Sequence, residues 1–112
     1  MKLMTFKVKA SYTGDPKGIV VDAEVPGMDN LEVAFITESA TPACQLGKNG
    51  PVITDSWILH GHVFVTGTVP SSHHDDIMLK LITRGMTIEG AHLEGEPELV
   101  STTELGDHYV HD

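Results

Sequence analysis

Met4, Phe6, Val8, Ala10 and Tyr12 alternate with Thr5, Lys7, Lys9 and Ser11. Successive side chains of a strand point to opposite faces, so this pattern predicts a strand with one buried side, the clearest in the chain. Gly14-Asp15-Pro16-Lys17-Gly18 supplies turn chemistry, and Ile19, Val21, Ala23 and Val25 then recur on one side of a second strand. Pro26-Gly27-Met28-Asp29-Asn30 is another turn, after which Leu31, Val33 and Phe35 alternate with Glu32, Ala34 and Ile36. Local pattern thus predicts a three-stranded antiparallel meander over residues 4–37.

Residues 38–51 carry Pro42, Gly47, Asn49, Gly50 and Pro51, and read as a long loop of the kind where functional groups gather. Within it, Gly47-Lys48-Asn49-Gly50 reads as an Asn-Gly hairpin turn and not as a phosphate loop. Residues 52–59 and 60–69 are extended, or form one long bent strand, with Gly61 and Gly67 as sites of a bulge or close backbone approach. Leu59, Val63, Val65 and Val69 make one face, and His60, His62, Phe64 and Thr66 the other.

The only helical pattern lies near residues 72–84. Ser72 is placed to cap it with Asp75 as a capping-box partner, and Asp75 and Asp76 suit the positive end of the helix dipole. Ile77, Met78, Leu81 and Ile82 make the apolar stripe, Lys80 and Arg84 lie toward the other end, and Gly85 stops the helix. Strands at 86–93 and 98–103 follow, and 106–112 reads as a loose acidic, histidine-bearing tail. The expected fold is a single α+β domain over residues 1–112, mostly antiparallel, with a barrel or sandwich-like sheet and one amphipathic helix. One helix covers only part of one sheet face, so the remaining apolar surface must close on itself or meet another subunit. A homo-oligomer is therefore expected.

Seven Lys and Arg against sixteen Asp and Glu leave a formal net charge of −9, which repels phosphate backbones and anionic lipid. Nucleic acid and membrane are accordingly not expected partners, and no run approaches the roughly 20 apolar residues that span a bilayer. Cys44 is the one cysteine, which excludes an internal disulfide and multi-thiolate zinc sites, and a reducing cytoplasm is the expected compartment. No apolar run of signal-peptide length opens the chain.

Seven histidines are many for a chain with seven Lys plus Arg, and histidine is both the commonest metal ligand and the usual proton carrier near neutrality. In His60-Gly61-His62 the two imidazoles leave a strand from the same face and are able to converge on one ion, zinc first among divalent metals. His92 is the candidate third ligand, and His74, on the helix, a weaker one. His73 is expected to face solvent, and His108 and His111 belong to the terminal segment. The helix start accounts for Asp75 and Asp76, Asp55 and Glu89 have no visible partner, and nothing in the sequence marks Cys44 as activated. Nucleophile elbows, phosphate loops and dinucleotide fingerprints are missing. Gly90-Ala91-His92-Leu93-Glu94-Gly95 resembles the Gly-Gly-His-Leu segment of the plant and prokaryote conserved domain, a trimeric fold whose bacterial members include some that hold a metal through histidines. The resemblance is confined to the end of the chain, and the strand meander before it departs from that family's strand-helix-strand start.

Three functions fit these residues. The first is an oligomeric module binding a small ligand, and a divalent metal, near the His60/His62 face. The second is a small metal-dependent lyase or hydrolase using His60, His62 and His92. The third is a structural or protein-interaction subunit with incidental histidines.

Overall fold

The computed structural model describes the backbone of residues 1–47 and 50–105 and the side chains of 1–43, 50 and 56–105. The expected tail at 106–112 and the side chains of Cys44 and Asp55 lie outside the described residues. Strand β1 (Lys2–Gly14) follows the alternating pattern, with Met4, Phe6, Val8 and Ala10 all buried. Its partner is not the neighbouring 19–25 segment but β4 (Gly50–Val69), antiparallel from Lys2↔Val69 to Gly14↔Trp57. β4 is long enough to pair with the whole of β1. It also sets small residues opposite large ones on the buried face, Met4↔Gly67 and Phe6↔Val65, so the side chains interdigitate.

The expected meander is thus corrected. After β1, a 3-10 turn at Pro16–Gly18, with Lys17 N donating to Asp15 Oδ1 at 2.9 Å, turns the chain off the sheet. The next segment keeps only a three-residue strand, β2 (Asp22–Glu24), yet Ala23 and Val25 are buried in the same core as Phe6, so the predicted face holds even though the pairing does not. Strand β3 (Asp29–Gly47) runs through most of the expected 38–51 loop and pairs antiparallel with β4 as far as Gly47↔Gly50, while Lys48 and Asn49 of the expected hairpin turn lie outside the described residues. Pro42 does not end β3 because β3 is the edge strand, and the register shift between Pro42 and Cys44 absorbs the imino acid. The two segments 52–59 and 60–69 are one strand, as one of the two expectations had it.

Helix α1 (Asp75–Gly85) starts two residues later than a Ser72 cap predicts. His74 occupies the cap position without a side-chain hydrogen bond, because a turn closed by His73 N to Pro70 O at 3.1 Å precedes it. Met78 and Ile82 are buried against the sheet, whereas Ile77 and Leu81 are 52% and 42% exposed, a narrower stripe than predicted because the helix meets a sheet on one side only. The predicted 86–93 strand is split into β5 (Thr87–Glu89), which pairs with β2, and β6 (His92–Leu93), which pairs with Ala10 and Ser11 of β1. Gly90 makes the break. Its φ is +95°, and a Cβ there would lie 2.2 Å from Val20 O, so only glycine fits. Strand β7 (Glu98–Glu104) lies beside the first half of β1, and β6 beside the second.

The main sheet is ordered β3-β4-β1 with β6 and β7 on the outer side of β1. It is mostly antiparallel and carries one helix, as expected, and it is not closed into a barrel, which corrects that one alternative. α1 and the β2/β5 ribbon supply the buried residues on one face, so the His60, His62, Phe64, Thr66 face of β4 is left partly exposed. No helix among the described residues is long and apolar enough to cross a membrane.

The start of α1 is tied to the sheet by Lys2, whose side chain is 9% exposed and whose Nζ donates to Asp75 Oδ1 at 2.8 Å. That bond holds the Asp75 carboxyl below its ordinary value. A carboxylate depressed in the folded state stabilises the fold above its unfolded pKa, and the contribution is lost as pH falls through the folded one. Asp75→Asn is expected to lower the melting temperature at pH 7, with the deficit shrinking from about pH 5 downward as the wild-type carboxyl protonates. Thermal melts followed by circular dichroism across that range check it. A pH-independent deficit would assign the effect to something other than the ion pair.

Candidate functional site

On the face of the sheet opposite α1, two rows of polar side chains run across three strands. In the first, Lys9 of β1 lies opposite His62 of β4, and Glu94 N donates to Lys9 O at 2.8 Å on the other side of β1. In the second, Ser11 of β1 lies opposite both His60 of β4 and His92 of β6. The alternation read from the sequence is what brings His60 and His62 to this one face.

A fourth group arrives by an irregularity. Thr37 pairs with Gly61 and Ser39 with His60, so Glu38 is the extra residue of a bulge in β3. Bulges re-aim side chains. Here Glu38 Oε1 meets His62 Nδ1 directly. Across the hollow, His60 Nδ1 and Glu94 Oε1 are 3.9 Å apart. Lys9, Glu38, Ser39, His60, Gly61, His62 and Glu94 together line a shallow hollow of about 410 Å³, open to solvent. His62 is the more enclosed imidazole, at 24% exposed against 45% for His60, and its ring lies 6.4 Å from that of Phe64.

The chemistry follows from the hydrogen bonding. A carboxylate only accepts, so the proton between His62 and Glu38 sits on Nδ1 and leaves Nε2 as a lone-pair donor. The His60–Glu94 spacing is within what one ion could bridge, since bonds from zinc to imidazole or carboxylate are about 2.0–2.2 Å. Lys9 brings a positive charge to the same hollow, which balances one carboxylate and works against a bare cation. Solvent reaches all of these groups, so the site lacks the water exclusion that strengthens acid-base catalysis.

The other predicted residues fall elsewhere. His92 shares the face but is exposed and lies two strand spacings from His60, about 10 Å, with Ser11 between them. Among the described residues no three His, Cys, Asp or Glu side chains gather as a metal centre, and His60, His62 and His92 do not form a closed set. His74 borders a separate surface hollow with Lys2, Asp75 and Asp76. Lys2 is nine residues from Ser11 along β1, about 30 Å away, so His74 and the histidine face do not meet. His73, expected in solvent, is half-buried, and its Nδ1 has no hydrogen-bond partner among the described residues. Glu89 lies opposite Asp22 in the β2/β5 ribbon. His108 and His111 lie outside the described residues.

Sequence reasoning missed Lys9, Glu38 and Glu94 as members of the site. Lys9 was legible as part of the polar face of β1, but its neighbours depend on the β1/β4 register. Glu38 had no signal, because a bulge inside an apparent loop leaves no periodicity.

No protein-family model, no curated protein and no solved structure matches the chain.

Proposed function

We propose that this domain is a binding module that takes up a divalent cation, zinc first, with a small polar ligand, in the hollow formed by Lys9, Glu38, His60, His62 and Glu94. It acts as a homo-oligomer in a reducing compartment such as the cytoplasm. The observation that carries the reading is the Glu38–His62 pair. A carboxylate on Nδ1 orients the ring and raises the basicity of the free Nε2, the usual arrangement behind metal-bound histidine. His60, on the same face two residues away, supplies the second imidazole, and the carboxylate of Glu94 lies beside it. Lys9 and Ser39 leave donors and an acceptor for a polar ligand in the remaining space. Three closed protein ligands are not required for such a role, since water and the ligand complete the coordination sphere.

Calorimetric titration of the purified chain with zinc tests this. One ion per chain is expected, with no saturable binding in a His60→Ala, His62→Ala double variant. Glu38→Gln is expected to weaken binding by about 10–100-fold, the usual cost of removing a carboxylate behind a ligating histidine. Absence of saturable binding in the wild type, or equal binding in the double variant, overturns the proposal.

A further inference from the structure

The hollow on the histidine face holds one cation that no carboxylate claims. Lys9 lines it together with Glu38 and Glu94. Glu38 Oε1 is taken by His62 Nδ1, and Glu94 Oε1 stands 3.9 Å from His60 Nδ1. Among the described residues Lys9 Nζ makes neither an ion pair nor a side-chain hydrogen bond, whereas Lys2 Nζ donates to Asp75 Oδ1 at 2.8 Å. Both carboxylates of the hollow are thus directed at imidazoles, and the ammonium is left as an uncommitted donor lining the open space.

Charge indicates what that space takes. With both imidazoles neutral, the lining carries one positive group, Lys9, and two negative ones, Glu38 and Glu94, so it is negative by one charge. The next row along the face, Lys7 of β1 opposite Glu98 of β7, cancels as a pair. A divalent ion on His60 and His62 makes the hollow positive by one charge, and a monoanion then brings it to neutrality. A dianion would leave it negative again. Zinc is four-coordinate and tetrahedral in most protein sites, so two imidazoles leave two positions. A carboxylate with an adjacent hydroxyl fills both as a chelate, and its second carboxylate oxygen is placed to accept a charge-assisted hydrogen bond from Lys9 Nζ. The formal −9 of the chain repels such an anion until the metal is in place. We infer that the small polar ligand of this site is a monoanionic 2-hydroxycarboxylate, bound after the metal and held by Lys9. The inference rests on the metal-binding reading above and adds to it the chemical class of the ligand.

Calorimetric titration with glycolate, the smallest 2-hydroxycarboxylate, tests it. The zinc-loaded chain is expected to bind one glycolate and the metal-free chain none. Ethylene glycol, which keeps the two-carbon skeleton and the hydroxyl but carries no charge, is expected not to bind either form. Coupling between two ligands is reciprocal, so saturating glycolate should tighten zinc binding by at least about fivefold, the lower end of the usual range, after correction for the zinc that glycolate holds in solution. Lys9→Met separates holding the anion from merely supporting the strand, because its two effects have opposite signs. Zinc alone should bind about threefold more tightly at low salt, since a like charge no longer opposes the cation, and the tightening by glycolate should disappear. Lys9→Arg should keep that tightening. Zinc binding that glycolate leaves unchanged overturns the inference while the metal-binding reading stands, and so does a Lys9→Met variant with the full glycolate effect. Absence of saturable zinc binding in the wild type overturns both.

Discussion

Phe6→Ala is expected to destabilise the domain by about 3–5 kcal/mol, the usual cost of removing a fully buried aromatic ring. Phe6 is 0% exposed, lies opposite Val65 of β4 on one side and Leu99 of β7 on the other, and belongs to the same core as Met78 and Ile82 of α1. Three other elements therefore border the cavity that alanine would leave. None can close it without giving up its own contacts, so the transfer loss and the cavity cost both apply. Domains of this kind have total stabilities of about 5–15 kcal/mol, and the variant should be substantially unfolded at physiological temperature. Urea denaturation measures it, and a loss below about 1.5 kcal/mol would show that the packing around Phe6 is looser than its burial implies.

The second large effect is expected at Gly61, where the fold and the candidate site share one residue. A Cβ at Gly61 would lie 1.9 Å from Ile36 O, 2.9 Å from Ile36 C and 3.1 Å from Thr37 Cα. These atoms are all backbone, so no side-chain rotation relieves the contact, and β3 must move away from β4 just where Glu38 bulges. Gly61→Ala is expected to cost at least the upper part of the about 1–3 kcal/mol typical of overpacking. It is also expected to break the contact between Glu38 and His62. The two consequences separate experimentally. Urea denaturation reports the first, and zinc titration of the folded fraction reports the second, with binding falling toward that of Glu38→Gln. An alanine variant as stable as wild type would mean that β3 approaches β4 less closely here.

The site is small, open and polar, and its members come from three strands and the residue that follows β6. Its two imidazoles were legible because they depend only on the two-residue repeat of a strand. The remaining members were not, because each depends on which strand lies next to which. Lys9 stands opposite His62 only in the β1/β4 register, Glu94 reaches the hollow only because β6 returns to the outer edge of β1, and Glu38 reaches it only through the bulge. His74 shows the converse. Its place on the predicted helix made it a weaker candidate, yet it sits at the start of a helix that packs on the other face.

The fold divides in the same way. By itself the sequence determined most of the buried set, because burial follows from alternation or helical spacing within one element; Ile77 and Leu81, predicted inward with Met78 and Ile82, are exposed because the helix meets the sheet on one side only. Met4, Phe6, Val8, Ala10, Ala23, Val25, Val63, Val65, Met78 and Ile82 all lie inward as their patterns require. It determined that one helix near residue 80 accompanies a mostly antiparallel set of strands. Only the tertiary structure decided the partners. β1 passed over its neighbour in sequence for β4, the sheet stayed open where a barrel was one expectation, and the first part of the supposed loop became the continuation of β3. Patterning is a property of a segment and is written in its residues. Pairing is a competition among segments, won by the match of length and side-chain volume across a distance that no local periodicity records.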